Sequence, residues 1–215
     1  LVGDFLFSRA FELMVSDGSI DVLRILSRAS AVIAEGEVHQ LVTANDTDTK
    51  ESDYLEVIEA KTAKLFAAAT EIGPVISNRS PEERKALETF GHNIGMAFQL
   101  IDDVLDYSAR QATLGKTVGD DFREGKITLP VVLAFQSADD EGKAFWRRTL
   151  EDMEQKRGDL KRATQMLEAS GAMKATISRA QDYGKKAANN LEVFPDSKHK
   201  RALSEAIDFA VNRSY

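Results

Sequence analysis

The sequence contains no cysteine, and its 215 residues include only four prolines and 13 glycines. The missing thiol excludes disulfide scaffolds, thiol nucleophiles, iron–sulfur clusters and thiolate zinc sites, and it fits a reducing, cytoplasmic environment. Long hydrophobic runs are also missing. Because a bilayer-spanning helix needs about 20 apolar residues in a row, we expect no stable membrane insertion.

The charge balance is acidic, with 28 Lys and Arg against 35 Asp and Glu, a formal net charge of −7. This balance argues against a protein that binds nucleic acid through bulk positive charge. It does not exclude a small anionic substrate, provided that a few cations converge locally.

The chain begins with Leu rather than Met, and it begins in the middle of a helical pattern. We therefore expect it to be part of a longer protein. Residues 1–15 contain Asp4, Arg9 and Glu12 and have no basic leader, so they are not expected to form a signal peptide.

Apolar residues recur at spacings of three and four rather than alternating, which predicts an all-α fold, and we assign residues 1–215 to a single domain. The segment Ser80-Pro81-Glu82-Glu83 is a capping box with Pro at the first helical position, so a long helix is expected from there to Tyr107. Residues 108–126 are glycine-rich and polar, and are interpreted as a structured loop. Further helices are expected around 145–153, 160–167, 172–191 and 202–211.

The strongest chemical signal is the run from Gln99 to Asp106, which contains Asp102 and Asp103 among apolar residues. On a helix, Asp102 and Asp106 lie one turn apart on the side that Gln99 also occupies. Carboxylates in an apolar helix repel one another and resist burial, so a cation is expected there. Mg²⁺ suits such oxygens and shares its remaining positions with substrate phosphates. The alternative is an acidic, solvated helix end.

Three lysines complete this hypothesis. Lys116 and Lys126 each follow a glycine in the loop after the aspartates, where an ammonium group suits phosphate oxygens. Lys61 and Thr62 lie among apolar helical residues. Taken alone, the loop lysines could be ordinary surface residues, and Lys61 could pair structurally with a carboxylate. Together the lysines and aspartates indicate a Mg²⁺–diphosphate site.

These residues resemble trans-type polyprenyl diphosphate synthases, and among them the long-chain synthases that make octaprenyl or decaprenyl tails. The resemblance runs from Gly3 to the C-terminus. The motifs that carry it are Gly36-Glu37 with Gln40, Lys61-Thr62-Ala63, Phe98-Gln99 with the Asp102–Asp106 box, and a loop with Gly115-Lys116, Gly119-Asp120-Asp121 and Glu124-Gly125-Lys126. Ile127 replaces a proline that often follows the last lysine.

The resemblance implies an isoprenoid synthase fold, with helices around a central cavity, and a homodimer formed through helices such as that of residues 5–14. It also implies Mg²⁺-dependent, head-to-tail elongation of an allylic diphosphate with isopentenyl diphosphate. Asp102 would be a direct Mg²⁺ ligand, while Asp103 and Asp106 would hold metal-bound waters or orient neighbouring groups. The predicted contacts to the allylic diphosphate are Lys61, Thr62, Gln99, Lys116 and Lys126, and Phe98 would lie nearer the isopentenyl unit.

One departure from the family pattern is large, because a first aspartate-rich motif is missing and Asp46-Thr47-Asp48 does not replace it. We expect a chain of these 215 residues alone to show negligible prenyl transfer. Two alternatives remain within the same fold: a terpene cyclase-like enzyme, and a non-catalytic or regulatory subunit of a heteromeric prenyl synthase. A helical scaffold without chemistry is the least favoured interpretation, because it needs no carboxylates in an apolar helix.

Overall fold

The computed structural model describes residues 1–108 and 118–213, with the side chains of Val42 and Thr43 left out. This part of the chain is helical and contains no strand, which confirms the all-α prediction. Two turns of π-helix occur among these described residues, at Glu59–Ala63 and at Arg147–Glu151. The α-helices are α1 Val2–Asp17, α2 Ile20–Thr43, α3 Glu51–Ile58, α4 Lys64–Ile76, α5 Pro81–Asp106, α6 Asp120–Arg123, α7 Leu129–Ser137, α8 Asp140–Trp146, α9 Asp159–Ala169, α10 Ala172–Asn190 and α11 Lys198–Val211.

Helix α5 begins at the predicted capping box. The Ser80 hydroxyl accepts a hydrogen bond from the Glu83 amide at 3.2 Å, and the Glu83 carboxylate accepts one from the Ser80 amide at the same distance. The helix ends at Asp106, with Tyr107 as its C-cap, so the predicted end is correct to one residue. Much of α5 is buried in the molecular core, in the stretch from Phe90 to Leu100.

Helices α4 and α10 both pack against α5, and glycines permit the contact with α4. A Cβ added to Gly91 would lie 2.1 Å from the Thr70 hydroxyl, and one added to Gly95 would lie 2.7 Å from the Ala63 Cα. The absence of side chains at these two positions therefore places the backbone of α5 directly on the π-turn Glu59–Ala63 and on α4.

A second apolar cluster contains the fully buried Trp146. Phe122 of α6 and Leu150 of the second π-turn are part of it. Trp146 is therefore a packing residue. The cluster anchors α6, and α6 in turn leads into Gly125 and Lys126.

Three element boundaries differ from the predictions. The predicted loop 108–126 contains the one-turn helix α6, and the predicted helix 145–153 begins five residues earlier and changes to a π-turn. Helix α11 begins at Lys198, not at residue 202, because Ser197 caps it by accepting a hydrogen bond from the Lys200 amide at 3.1 Å. Within the described residues, no helix combines the length and the hydropathy that a membrane crossing requires.

Candidate functional site

The π-turn Glu59–Ala63 carries Lys61 and Thr62 and interrupts an otherwise continuous helix from residue 51 to residue 76. Such one-turn π segments are frequent at functional sites. The Lys61 ammonium donates a hydrogen bond to Gln40 Oε1 at 2.7 Å and lies 3.1 Å from Glu37 Oε1. Both partners belong to α2, so the lysine is held between two helices with 35% of its side chain exposed.

A chain of hydrogen bonds crosses one side of the site. The Thr62 hydroxyl donates to Gln99 Oε1 at 3.0 Å, and Gln99 Nε2 donates to Asp103 Oδ1 at 2.8 Å. The Tyr54 hydroxyl donates to the other oxygen of Asp103. Both ends of the Gln99 amide are thereby engaged, which fixes its orientation.

Asp103 and Tyr54 are both deeply buried, with 3% and 5% of their surface exposed. Burial raises the pKa of the Asp103 carboxyl to about 8, although the hydrogen bonds from Tyr54 and Gln99 oppose the rise. Burial, followed by the neighbouring Asp103 charge, raises the pKa of the Tyr54 hydroxyl well above its ordinary value. A negative charge on Asp103 is therefore costly, and a nearby cation would offset that cost.

Asp102 is half-buried, and no hydrogen bond or ion pair to its carboxylate is formed within residues 1–108 and 118–213. Asp106 faces elsewhere, since its carboxylate accepts backbone hydrogen bonds from the amides of Asp120 at 3.2 Å and Asp121 at 3.1 Å. Burial raises the pKa of the Asp106 carboxyl to about 6. Asp106 thus caps α6, and this agrees with a role in orienting neighbouring groups.

Lys126 lies just after the short helix α6. Its ammonium is 3.0 Å from Asp121 Oδ1 and 2.8 Å from Glu124 Oε2. Burial opposes the positive charge, but the hydrogen bonds to Glu124 and Asp121 outweigh it and raise the pKa of Lys126. The lysine is therefore charged at neutral pH and is turned towards the carboxylates of its own segment.

One cavity of about 270 Å³ connects these groups. Six of the predicted site residues border it: Lys61, Thr62, Gln99, Asp102, Asp103 and Lys126. Phe98 and Asp106 do not line it, and Lys116 lies outside the described residues. The cavity is also lined by polar residues to which the sequence interpretation gave no role of their own: Tyr54, Asp121, Thr49 and Thr128.

Phe98 lies beside the cavity, where its ring packs 5.4 Å from the Phe66 ring. The Arg213 guanidinium stacks over the same ring at 3.9 Å and donates to the Phe98 carbonyl at 2.9 Å. Burial lowers the pKa of Arg213, and attraction to Asp102 acts against the shift. Sequence reasoning missed Arg213, because nothing near it in the chain shows that it folds back onto α5.

The donor set fits a hard cation that is shared with a ligand. Among the described residues that line the cavity, the carboxylate oxygens of the aspartates are the strong metal-binding atoms, and they suit Mg²⁺. Within the described parts of the chain, no three acidic or histidine side chains are close enough to hold a metal ion by themselves. Mg²⁺ commonly binds through one or two carboxylates and completes its shell with water and phosphate oxygens, which is what Asp102 with Asp103 would require.

Comparison with known proteins gives the family. Residues 1–167 match the family model described as Polyprenyl synthetase. The chain belongs to this family. It is 44% identical over 213 residues to octaprenyl diphosphate synthase of Escherichia coli K12, covering 99% of this chain and 66% of that protein. It is 39% identical to octaprenyl diphosphate synthase of Haemophilus influenzae, covering 100% of this chain and 65% of the relative.

Comparison with solved structures leads to the same family. A decaprenyl diphosphate synthase from Rhodobacter capsulatus superposes with a TM-score of 0.92 at 44% identity, over 99% of this chain and 65% of that one. A polyprenyl synthase from Caulobacter crescentus CB15, complexed with calcium and isoprenyl diphosphate, gives a TM-score of 0.95 at 50% identity over the same shares. The expected isoprenoid synthase fold is confirmed. The chain spans just under two thirds of the length of these relatives, and none of them supports the terpene cyclase-like or regulatory-subunit alternatives.

Proposed function

We propose that this chain forms the allylic-diphosphate half of the active site of a long-chain, all-trans polyprenyl diphosphate synthase. The observation that carries the proposal is the single cavity bordered by the ammonium groups of Lys61 and Lys126 and by the carboxylates of Asp102 and Asp103. A diphosphate needs the cations, and a Mg²⁺ ion bound to that diphosphate needs the carboxylates. The names of the octaprenyl and decaprenyl synthases above support the long product, a precursor suited to quinone side chains.

In the proposed reaction, the C–O bond of the allylic diphosphate breaks, and the double bond of isopentenyl diphosphate attacks the allylic carbon. A new C–C bond forms, the joined product loses a proton, and diphosphate is the leaving group. Lys61 and Lys126 hold the leaving diphosphate and stabilise the charge that develops on it. Mg²⁺, when bound, neutralises further charge on the same oxygens. Thr62 and Gln99 orient this end of the substrate, and the apolar walls exclude water.

Mg²⁺ is assigned to Asp102 and Asp103 because their oxygens fit a hard cation, while Asp106 acts indirectly through α6. The relative that is complexed with calcium and isoprenyl diphosphate supports this pairing of a divalent cation with a diphosphate. Phe98, whose ring is covered by the Arg213 guanidinium, is proposed to contact the isopentenyl unit. Lys116 stays a sequence-based prediction, as does the cytoplasmic location.

We also propose that a second copy of the chain covers α1. Nearly all of this helix is exposed, including 67% of Phe5, 60% of Leu6 and 58% of Leu13. Isolated apolar residues on a surface are ordinary, but a whole exposed apolar helix indicates a covered interface. Sedimentation velocity should show a dimer, and Leu6→Glu should shift it to a monomer. A wild-type monomer at micromolar concentration would overturn the dimer proposal.

The function is tested by titrating the chain with inorganic diphosphate in the presence of Mg²⁺ and with EDTA, using calorimetry. We expect binding with Mg²⁺ and little binding without it. Farnesyl diphosphate should compete for the same site, and isopentenyl diphosphate should compete far less well. No Mg²⁺-dependent binding by the wild-type chain would overturn the proposed half-site. Elongation itself is assigned to a protein of the relatives' length, and prenyl transfer by the 215 residues is expected to be negligible.

A further inference from the structure

The loop between α2 and α3 reaches across to the wall that carries Lys126. Asn45 of this loop has a left-handed backbone, with φ of 60°. Its side-chain amide donates to the Leu150 carbonyl at 2.7 Å and lies 3.5 Å from the Gly125 carbonyl. One amide therefore contacts two chain segments that are 80 and 105 residues away.

Gly125 is shaped to receive this amide. Its φ of +68° is in the region that favours glycine, and an added Cβ would lie 2.2 Å from Asn45 Nδ2 and 2.5 Å from the Met153 sulfur. Gly125 directly precedes Lys126. The contact between the Asn45 amide and Gly125 therefore determines the backbone position from which the Lys126 side chain extends.

The same end of α2 also holds the other cation of the site. Glu37 and Gln40 contact the Lys61 ammonium, and Asn45 follows them after about one further turn of chain. The segment from residue 37 to residue 45 therefore contacts both Lys61 and the Gly125–Lys126 turn. The ammonium groups of Lys61 and Lys126 border one cavity. Because the segment 37–45 contacts both sides, it sets the distance between these two groups.

We propose that Asn45 is a positioning residue, which holds the Gly125–Lys126 turn so that Lys61 and Lys126 bind the same diphosphate. The inference rests on the proposed function, because it assumes that this diphosphate occupies the cavity. It assigns Asn45 no direct contact with substrate.

The central variant is Asn45→Gly, since glycine keeps the left-handed backbone and removes only the amide. Asn45→Asp is the second variant, because Asp tolerates the same backbone and keeps the size but cannot donate. In calorimetric titrations with inorganic diphosphate and Mg²⁺, each should bind about five- to tenfold more weakly than wild type, the effect of one lost hydrogen bond.

The matched control is Thr47→Val. Thr47 lies two residues further along the same loop, and its amide and hydroxyl both donate to Glu151, the amide at 3.1 Å. This variant loosens the loop at a different anchor and leaves the Asn45 amide in place. Its diphosphate affinity should stay within twofold of wild type.

A double-mutant cycle separates positioning from general loosening. In a Lys126→Gln background, Asn45→Gly should cause little further loss of affinity, because its effect passes through the missing ammonium group. Additive losses would overturn the proposal, and so would wild-type affinity in both Asn45 variants. A wild-type chain that does not bind Mg²⁺–diphosphate at all would overturn the proposed function and this inference with it.

Discussion

A Cβ added to Gly36 would lie 2.8 Å from the Cβ of Ala60 and 3.1 Å from the backbone nitrogen of Lys61. Helix α2 therefore rests directly on the π-turn Glu59–Ala63, with no side chain between them. This close approach brings Glu37 and Gln40 within reach of the Lys61 ammonium. The absence of a Cβ at Gly36 thus permits the contacts that hold the Lys61 ammonium on the cationic side of the site.

Gly36→Ala should consequently destabilise the chain. Inserting a methyl group into a close backbone contact costs about 1–3 kcal/mol, since α2 must move away from the π-turn. Urea denaturation measures the free energy of unfolding. Gly3→Ala is the control, because no atom lies within 4 Å of the added Cβ there, and it should be at least as stable as wild type, since alanine favours a helix more than glycine does. Equal stability of the two variants would show that α2 adjusts without strain.

Much of this site could be predicted from sequence because its residues lie on long helices with strong local signals. The capping box at Ser80 sets the start of α5, and regular spacing then places Gln99, Asp102 and Asp103 on known faces. Asp106 shows the limit of this reasoning. Its spacing from Asp102 predicts a shared face, yet the free amides of Asp120 and Asp121 attract its carboxylate towards α6.

The remaining features depend on contacts between distant parts of the chain. Tyr54 meets Asp103 across 49 residues and Arg213 meets Phe98 across 115, and neither pair has a local signature. The π-turn at Lys61 contains one residue more than an ordinary α-helical turn. In an apolar helix, hydrophobic periodicity does not reveal this extra residue. The tertiary contacts of the π-turn are close, since a Cβ added to Gly36 would lie 2.8 Å from the Ala60 Cβ and one added to Gly95 would lie 2.7 Å from the Ala63 Cα.

Asp102→Ala should abolish Mg²⁺-dependent binding of diphosphate while the fold survives. The carboxylate has no partner among the described residues, so its removal breaks no internal contact and relieves repulsion with the neighbouring acids. Calorimetric titration measures the binding, and far-ultraviolet circular dichroism checks the helices. In the longer synthase, the same variant should lose turnover.

The control for that variant is Asp120→Ala, whose exposed carboxylate pairs with Arg123 at 2.6 Å outside the cavity. It should bind diphosphate normally. Near-normal Mg²⁺ dependence in Asp102→Ala would mean that the cation is held elsewhere.

The buried carboxyl of Asp103 should make the chain less stable as the pH rises. Its pKa is raised from 3.8 to about 8, so between these values the folded state keeps a proton that the unfolded chain has released. The free energy of unfolding therefore falls across this window and does not depend on Asp103 below it. Asp103→Asn removes the effect, so urea denaturation at pH 5 and pH 8 should show a smaller decrease than wild type, by about 3–4 kcal/mol.

Other groups titrate in the same interval, among them Asp106 with its pKa raised to about 6. They are present in both proteins, so the difference between wild type and Asp103→Asn isolates Asp103. Parallel pH profiles for the two chains would refute a raised pKa at this position.

Tyr54→Phe tests the hydrogen-bond chain that fixes Gln99. The variant keeps the buried ring and removes one of the two donors to the Asp103 carboxylate, leaving that buried oxygen without its partner. We expect a loss of about 1–3 kcal/mol in the free energy of unfolding at pH 8, where the carboxylate is most often ionised. At pH 5 the loss should be smaller, because a protonated Asp103 depends less on the donated hydrogen bond. In an Asp103→Asn background the pH dependence of the loss should disappear. A loss that is identical at both pH values and in both backgrounds would indicate that the hydroxyl only fills space and does not support the carboxylate.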